Sequence, residues 1–141
     1  MRVLLDANVL LDCLVLEQSG APRPGKLGSE RVLTLCDTGI HDGLVAWHTL
    51  PILAYYHGRQ HPAQDTGTMM DELLTMLLVP TVTHAAAAGW RVHGVADFED
   101  AMQVASAVAG GADVIITRNT KDFTGCRIPA MTPEEFVVAF P

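Results

Sequence analysis

Apolar runs of strand length alternate along this chain with stretches of helical period. RVLL, residues 2–5, begins a short apolar run ending in Asp6, as in a strand buried on both faces. Val9, Leu10, Cys13 and Leu14 then recur at helical spacing, with Asn8 placed to cap them. QSGAPRPGKLG, residues 18–28, carries the Gly and Pro content of a loop. Helical period returns over residues 29–37, residues 43–47 predict a second short strand, and residues 48–59 a further helix. GRQHPAQDTG reads as a connection before a helix over residues 68–78. VPTV predicts a short strand, after which Thr83 caps HAAAAGWRVHG as a helix. DFED, residues 97–100, leads into a helix that the pair Gly110 and Gly111 ends. ADVIIT, residues 112–117, is the clearest strand, and MTPEEFVVAF opens with Thr132, Pro133 and Glu135 in a capping-box arrangement.

Strands alternating with helices imply an α/β fold, a three-layer sandwich with a central, mostly parallel sheet flanked by helices. No repeat and no long linker divides the 141 residues, so residues 1–141 read as a single domain. A hydrophobic share of 49% against 18% charged residues fits a compact core and excludes a disordered chain. No window approaches eighteen apolar residues, which predicts no spanning helix and no membrane partner. Asp6 and Asp12 interrupt the apolar N-terminus and no small-residue cleavage site follows, against a signal peptide. Cys13, Cys36 and Cys126 form no CxxC pair and read as free thiols of a reducing, cytoplasmic setting. The net charge of −7 excludes a generic basic nucleic-acid coat. It leaves open a nucleic acid bridged to carboxylates by divalent cations.

Ligands of an open parallel sheet sit beyond the carboxyl ends of its strands. Asp6 ends the first strand; Thr117, Arg118, Asn119 and Asp122 follow ADVIIT; and the helix before ADVIIT begins at the same rim with DFED. At about 100° per residue, Glu99, Gln103 and Ser106 share one polar face, which predicts a solvated Glu99. Asp97 stands where an N-cap belongs, its carboxylate accepting from the Asp100 N–H. Asp100 shares its stripe with Val104 and Ala107, and a carboxylate on an apolar stripe needs a partner. Asp97 and Asp100 taken alone need only complement the helix dipole. Set beside Asp6 and NTKD they form a cluster whose mutual repulsion a hard cation, Mg²⁺ or Mn²⁺, relieves. Phosphodiester hydrolysis by cation-activated water is the usual chemistry of such a site. Arg118 and Lys121 flank it and can contact RNA phosphates.

Three blocks, VLLDANVLLD, DFEDAMQVASA and ADVIITRNTKDF, together resemble the PIN domain, of the kind found in VapC-type toxin ribonucleases. They lie in the family's order and span residues 4–123. The resemblance implies a metal-dependent RNA endonuclease, with Asp6 and Asp100 as metal ligands for Mg²⁺ or Mn²⁺. It gives Asp6, Asp100 and Asp122 catalytic roles and has Thr117 and Asn119 orient ligands or substrate, beside the flanking Arg118 and Lys121. It further implies an antitoxin partner and a homodimer. The sequence departs from the family in two respects: the position of the second acid, usual in the helix after the second strand, falls near Pro51 or Ile52, with no Asp or Glu between Asp42 and Asp65, and Asn119 occupies a place often held by Asp, leaving nearby Asp122 to contribute. A weakened or inactive PIN-fold module that binds RNA or protein is the alternative.

Other features read more plainly. His57 and His61 have zinc-binding spacing but lack further ligands. Tyr55 and Tyr56 read as core or dimer surface, and Asp12 as a solvated helix position. A phosphoacceptor receiver domain expects an acid ending a middle strand, and GLVAW has none. No G-x-x-x-x-G-K-[ST] or G-x-S-x-G motif occurs.

Overall fold

A computed structural model describes residues 1–141. Five parallel strands, β1 (Arg2–Leu5), β2 (Asp42–Leu44), β3 (Leu77–Leu78), β4 (Val114–Ile116) and β5 (Ala130–Met131), form one sheet in the order β3-β2-β1-β4-β5. Seven α-helices connect them: α1 (Ala7–Leu14), α2 (Lys26–Asp37), α3 (Thr49–Gly58), α4 (Ala63–Met76), α5 (His84–Ala88), α6 (Phe98–Gly110) and α7 (Pro133–Ala139). This is the three-layer α/β sandwich that the alternation of patterns predicts.

The central strands alternate between two cores. Val3 and Leu5 of β1, with Val114 and Ile116 of β4, pack against Val9, Leu10, Val32, Leu35, Leu53, Leu73 and Phe136 of α1, α2, α3, α4 and α7. Leu4 and Ile115 face the other way, against Ala101, Val104 and Ala107 of α6 and against Phe123 and Ile128. Both faces are therefore dry, which is why Val3–Leu5 and VII carry no polar residue, while Arg2 stands exposed at the start of β1. Alanines on α6 let that helix lie close to the sheet. Phe136, wholly buried and edge-on to His41 at 5.1 Å, pins α7 to the first core, a burial worth about 2–3 kcal/mol.

Several boundaries differ from the sequence reading. Asp6, not Asn8, is the N-cap of α1; its carboxylate accepts from the Ala7 N–H, and Asn8 lies inside the helix. Helix α2 starts at Lys26, through the glycine that suggested a loop. Helix α4 starts at Ala63, directly after Pro62, and gives way to β3 at Leu77, so VPTV itself is not a strand. Thr83 does cap α5, but the helix stops at Ala88 and a 3₁₀ turn follows over Trp90–His93. The capping box at Thr132 and Glu135 forms, with both reciprocal hydrogen bonds. The chain between ADVIIT and that box adds the two-residue strand β5, too short to leave a periodic trace.

Candidate functional site

The strand order reverses direction between β1 and β4, and their carboxyl ends open the crevice that such sheets use for ligands. Asp6 and Thr117 stand at those two ends. The Thr117 hydroxyl donates to Asp6 Oδ2 at 2.7 Å, and the Asp6 N–H donates to the Ile116 carbonyl at 3.0 Å. Asn8 joins the same two exits: its amide nitrogen donates to Asp6 Oδ2 at 2.7 Å and its oxygen accepts from the Arg118 N–H. Gln103 reaches across from α6, donating from Nε2 to Asp6 Oδ1 at 3.1 Å. Asp6 is thus buried and takes hydrogen bonds from Ala7, Asn8, Gln103 and Thr117, filling the four lone-pair sites of a carboxylate. Burial pushes its pKa up and Glu99 adds to the rise, partly opposed by the bonds from Thr117, Ala7 and Asn8.

Helix α6 delivers the remaining acids. Asp97 caps it, accepting from the Glu99 and Asp100 N–H groups at 2.8 and 3.3 Å, as the sequence predicts. Gly111, with φ of +66°, ends it in the left-handed region that glycine adopts without penalty. Asp100 accepts no hydrogen bond and pairs with no cation. Partial burial, then the charges of Glu99, Asp97, Asp6 and Asp122, push its pKa up to about 6. Carboxylate oxygens of Asp97, Glu99 and Asp100 lie within 4.8 Å of one another.

Glu99 is half-exposed, as a solvated position would be, but the face it begins is not solvated. The stripe it shares with Gln103 and Ser106 points inward: both of those residues are buried. Glu99 Oε1 accepts from Gln103 Nε2 at 3.1 Å and meets His48 Nε2 at 2.9 Å. Uncharged Gln and Ser were the available signal, because a solvated stripe on a helix of this length usually carries further charges.

The structure thus joins Asp6 to Thr117 and sets Asp100 near enough to Asp6 and Asp122 for their charges to raise its pKa, but the carboxylates that come within 4.8 Å of one another are those of Asp97, Glu99 and Asp100, without Asp6 or Asp122. Asn119 donates from its backbone to Thr117 Oγ1 at 3.0 Å, and the exposed Lys121 and Asp122 lie in the 3₁₀ turn Thr120–Phe123 that follows. None of Asp6, Asp97, Asp100 or Asp122 forms an ion pair with Lys or Arg. The donor set is all oxygen, with no thiolate and one imidazole already bound to Glu99, which fits a hard divalent cation. A groove of about 610 Å³ opens beside His48, walled by Trp47, Pro80, Val82, His84 and Met102.

A family model for the PIN domain matches residues 2–121. The chain belongs to the PIN domain family. No curated protein sequence matches it significantly. Among solved structures, this PIN domain is similar to FitAcB from Neisseria gonorrhoeae, at 18% identity over 94% of this chain and 98% of that one, with a TM-score of 0.60. It is similar to VapBC2 from Rickettsia felis bound to a DNA fragment from their promoter, at 15% identity over 94% and 98% of the two chains and a TM-score of 0.66. VapBC-1 from nontypeable Haemophilus influenzae gives 16% identity, 95% and 99% coverage and a TM-score of 0.65. At these identities the likeness is one of fold.

Arg118 is placed apart from the acids. Its guanidinium donates to Asp12 Oδ2 and Ser29 Oγ, each at 2.8 Å, and also to Glu134 and to the Gly25 carbonyl. Asp12, expected in solvent, is instead buried and held by Arg118, Arg23 and Ser29. Burial raises its pKa, but the bonds from Arg23, Arg118 and Ser29 outweigh that and hold it below the usual carboxylate value. A second polar cluster therefore ties α1, α2, α7 and the β4 exit together. His57 and His61 stack at 4.1 Å instead of converging on a metal, and His57 Nδ1 bonds Thr66 Oγ1. Tyr55 and Tyr56 are exposed, packed edge-on to each other. The three cysteines are free, and burial pushes the Cys13 and Cys36 thiols up to about 12. No helix is long and apolar enough to cross a membrane.

Proposed function

We propose that this PIN domain is a metal-dependent RNA endonuclease acting as the toxin of a toxin–antitoxin pair. The observation that carries the reading is Asp100, a carboxylate with no hydrogen-bond donor and no basic partner, pushed up to about 6 among four other acids at the sheet's switch point. Such a group calls for a cation, and Asp6 and Asp100 are the residues that would hold Mg²⁺ or Mn²⁺. Bound there, the ion would offset the cluster's charge and act as a Lewis acid on a phosphodiester. Thr117 and Asn8 fix the Asp6 carboxylate in orientation. Asp122 contributes charge at the rim, while Asn119 and Lys121, exposed beyond β4, are placed to contact the RNA backbone. Arg118 has its donors committed to Asp12, Glu134, Gly25 and Ser29, so we assign it to holding the fold and not to phosphate. The fold shared with VapBC and FitAcB complexes supports an antitoxin-type protein partner.

Asp100→Asn is the variant that isolates the chemistry, because its side chain holds no structural hydrogen bond. Cleavage of single-stranded RNA in Mg²⁺ or Mn²⁺ is expected to fall by about 100-fold or more in Asp100→Asn and to stop in chelator. Equal cleavage by wild type and variant would overturn the assignment. A second reading, a PIN-fold module that binds RNA or protein without cleaving, is favoured by one observation: Asp6 already accepts four hydrogen bonds. Absence of Mn²⁺ binding in calorimetry, with RNA binding intact, would select it.

A further inference from the structure

Gln103 links the start of α3, where the sequence lacks an acid, to the acids of β1 and α6. The Gln103 side chain is fully buried, and its Nε2 lies 3.1 Å from Asp6 Oδ1, 3.0 Å from Thr49 Oγ1 and 3.1 Å from Glu99 Oε1. An amide carries two N–H groups, so three acceptors crowd one nitrogen and tie the carboxylates of Asp6 and Glu99 to a common point. Gln103 Oε1, buried on the same side chain, has no partner at all. An unpaired buried acceptor next to an acid cluster is costly unless a donor completes it. Glu99 is held from its other side by His48, again on Oε1. Glu99 Oε2 accepts no hydrogen bond, nor does either oxygen of Asp100, and the two carboxylates bring an oxygen of each within 4.8 Å of the other.

We propose that Glu99 is a metal ligand of this site, presenting Oε2 while His48 and Gln103 grip Oε1. The role rests on the metal-centre reading above. It departs from that reading by placing the second ligating acid on α6, one residue before Asp100, instead of on α3. His48 and Gln103 are positioning residues: they fix a carboxylate arm that is otherwise half-exposed. Gln103 also couples Glu99 to Asp6, so the acids at the β1 exit and at the start of α6 are held as one unit. The start of α3, which carries no acid, instead supplies His48 at its cap and Thr49 at its first position to hold Glu99 and Gln103.

Mn²⁺ binding to the full chain, stripped of metal by chelator, tests this by calorimetry and by the electron paramagnetic resonance of the bound ion. Glu99→Gln removes charge and ligand together; Glu99→Asp keeps the charge and shortens the arm. Both variants are expected to bind Mn²⁺ at least about tenfold more weakly while still unfolding cooperatively in chelator, and Glu72→Gln on the exposed face of α4 stays within about twofold of wild type. Glu99→Asp binding within about twofold of wild type would overturn the ligand role, leaving only a charge effect. Wild type that binds Mn²⁺ in this Glu99-dependent way but cleaves no RNA would sustain the ligand and remove the nuclease reading. Wild type that binds no Mn²⁺ would remove both.

Discussion

Gln103 Nε2 lies 3.1 Å from Asp6 Oδ1, across 97 positions of sequence, and it is the one side chain of α6 that bonds the β1 exit. Gln103→Leu keeps the volume and removes the donor. Asp6 then loses one of its four hydrogen bonds while staying buried, and Glu99 is released from one of its two anchors. A loss of about 1–3 kcal/mol is expected, read as a lower urea midpoint at unchanged slope. An unchanged midpoint would mean that the crowded amide contributes nothing net, its gain cancelled by the unpaired Oε1.

Asp12 and Arg118 form the second polar cluster, and it is structural. Asp12→Ala leaves the Arg118 guanidinium partly buried with a partner missing, at a cost of about 3–5 kcal/mol. The sign with pH follows from the depressed Asp12 pKa. Its stabilising contribution is present above the unfolded value, near pH 4, and is lost as pH falls below that through the folded pKa. Acid titration of stability is expected to show a wild-type loss in this window that Asp12→Asn lacks, with Asp12→Asn already less stable at neutral pH.

Gly25 lets Arg118 reach that cluster. A Cβ on Gly25 would fall 2.2 Å from Arg118 Nη2 and 2.4 Å from Asp12 Oδ2, too close for either to stay. Gly25→Ala is expected to destabilise by about 1–3 kcal/mol through displacement of the guanidinium. A double-mutant cycle with Asp12→Ala checks the cause. If displacement of Arg118 is the mechanism, the two losses combine to much less than their sum; full additivity would place the damage elsewhere.

How much of this was legible varies with the physics of each element. The doubly buried strands RVLL and VII and the caps Asp97 and Thr132 follow from local pattern and local hydrogen bonding, and the structure reproduces them. Strands β3 and β5 are two residues each, shorter than one period of any pattern, and exist because neighbours supply their ladders. Asp6 takes the capping role expected of Asn8 at the start of α1, since both residue types cap well and only the turn geometry decides. The buried setting of Asp12 and the partners of the half-exposed Glu99 were missed for a shared reason. A helical wheel separates polar from apolar faces, but it cannot tell a solvated polar face from one buried against a partner far along the chain. Gln103 for Glu99, and Arg118 for Asp12, are such partners.

Asp100 offers a pH signature free of RNA. Partial burial and the neighbouring carboxylates push it from an ordinary 3.8 up to about 6. In the folded, metal-free protein it therefore holds a proton that the unfolded chain releases earlier. Stability consequently falls as pH rises between about 4 and 6, and Asp100 adds no further change above that. Asp100→Asn removes this loss. In chelator at pH 7.5 the variant is expected to be more stable than wild type by about 1 kcal/mol, a figure reduced for the group's partial exposure. Near pH 4 the two should coincide. Saturating Mn²⁺ should reverse the order at pH 7.5, because wild type alone gains the full binding free energy. Urea unfolding of both proteins at these two pH values, with chelator and with Mn²⁺, measures all three differences. A metal-free variant that is less stable at pH 7.5 would show that the acids around Asp100 do not repel, and would remove the physical reason for placing a cation among them.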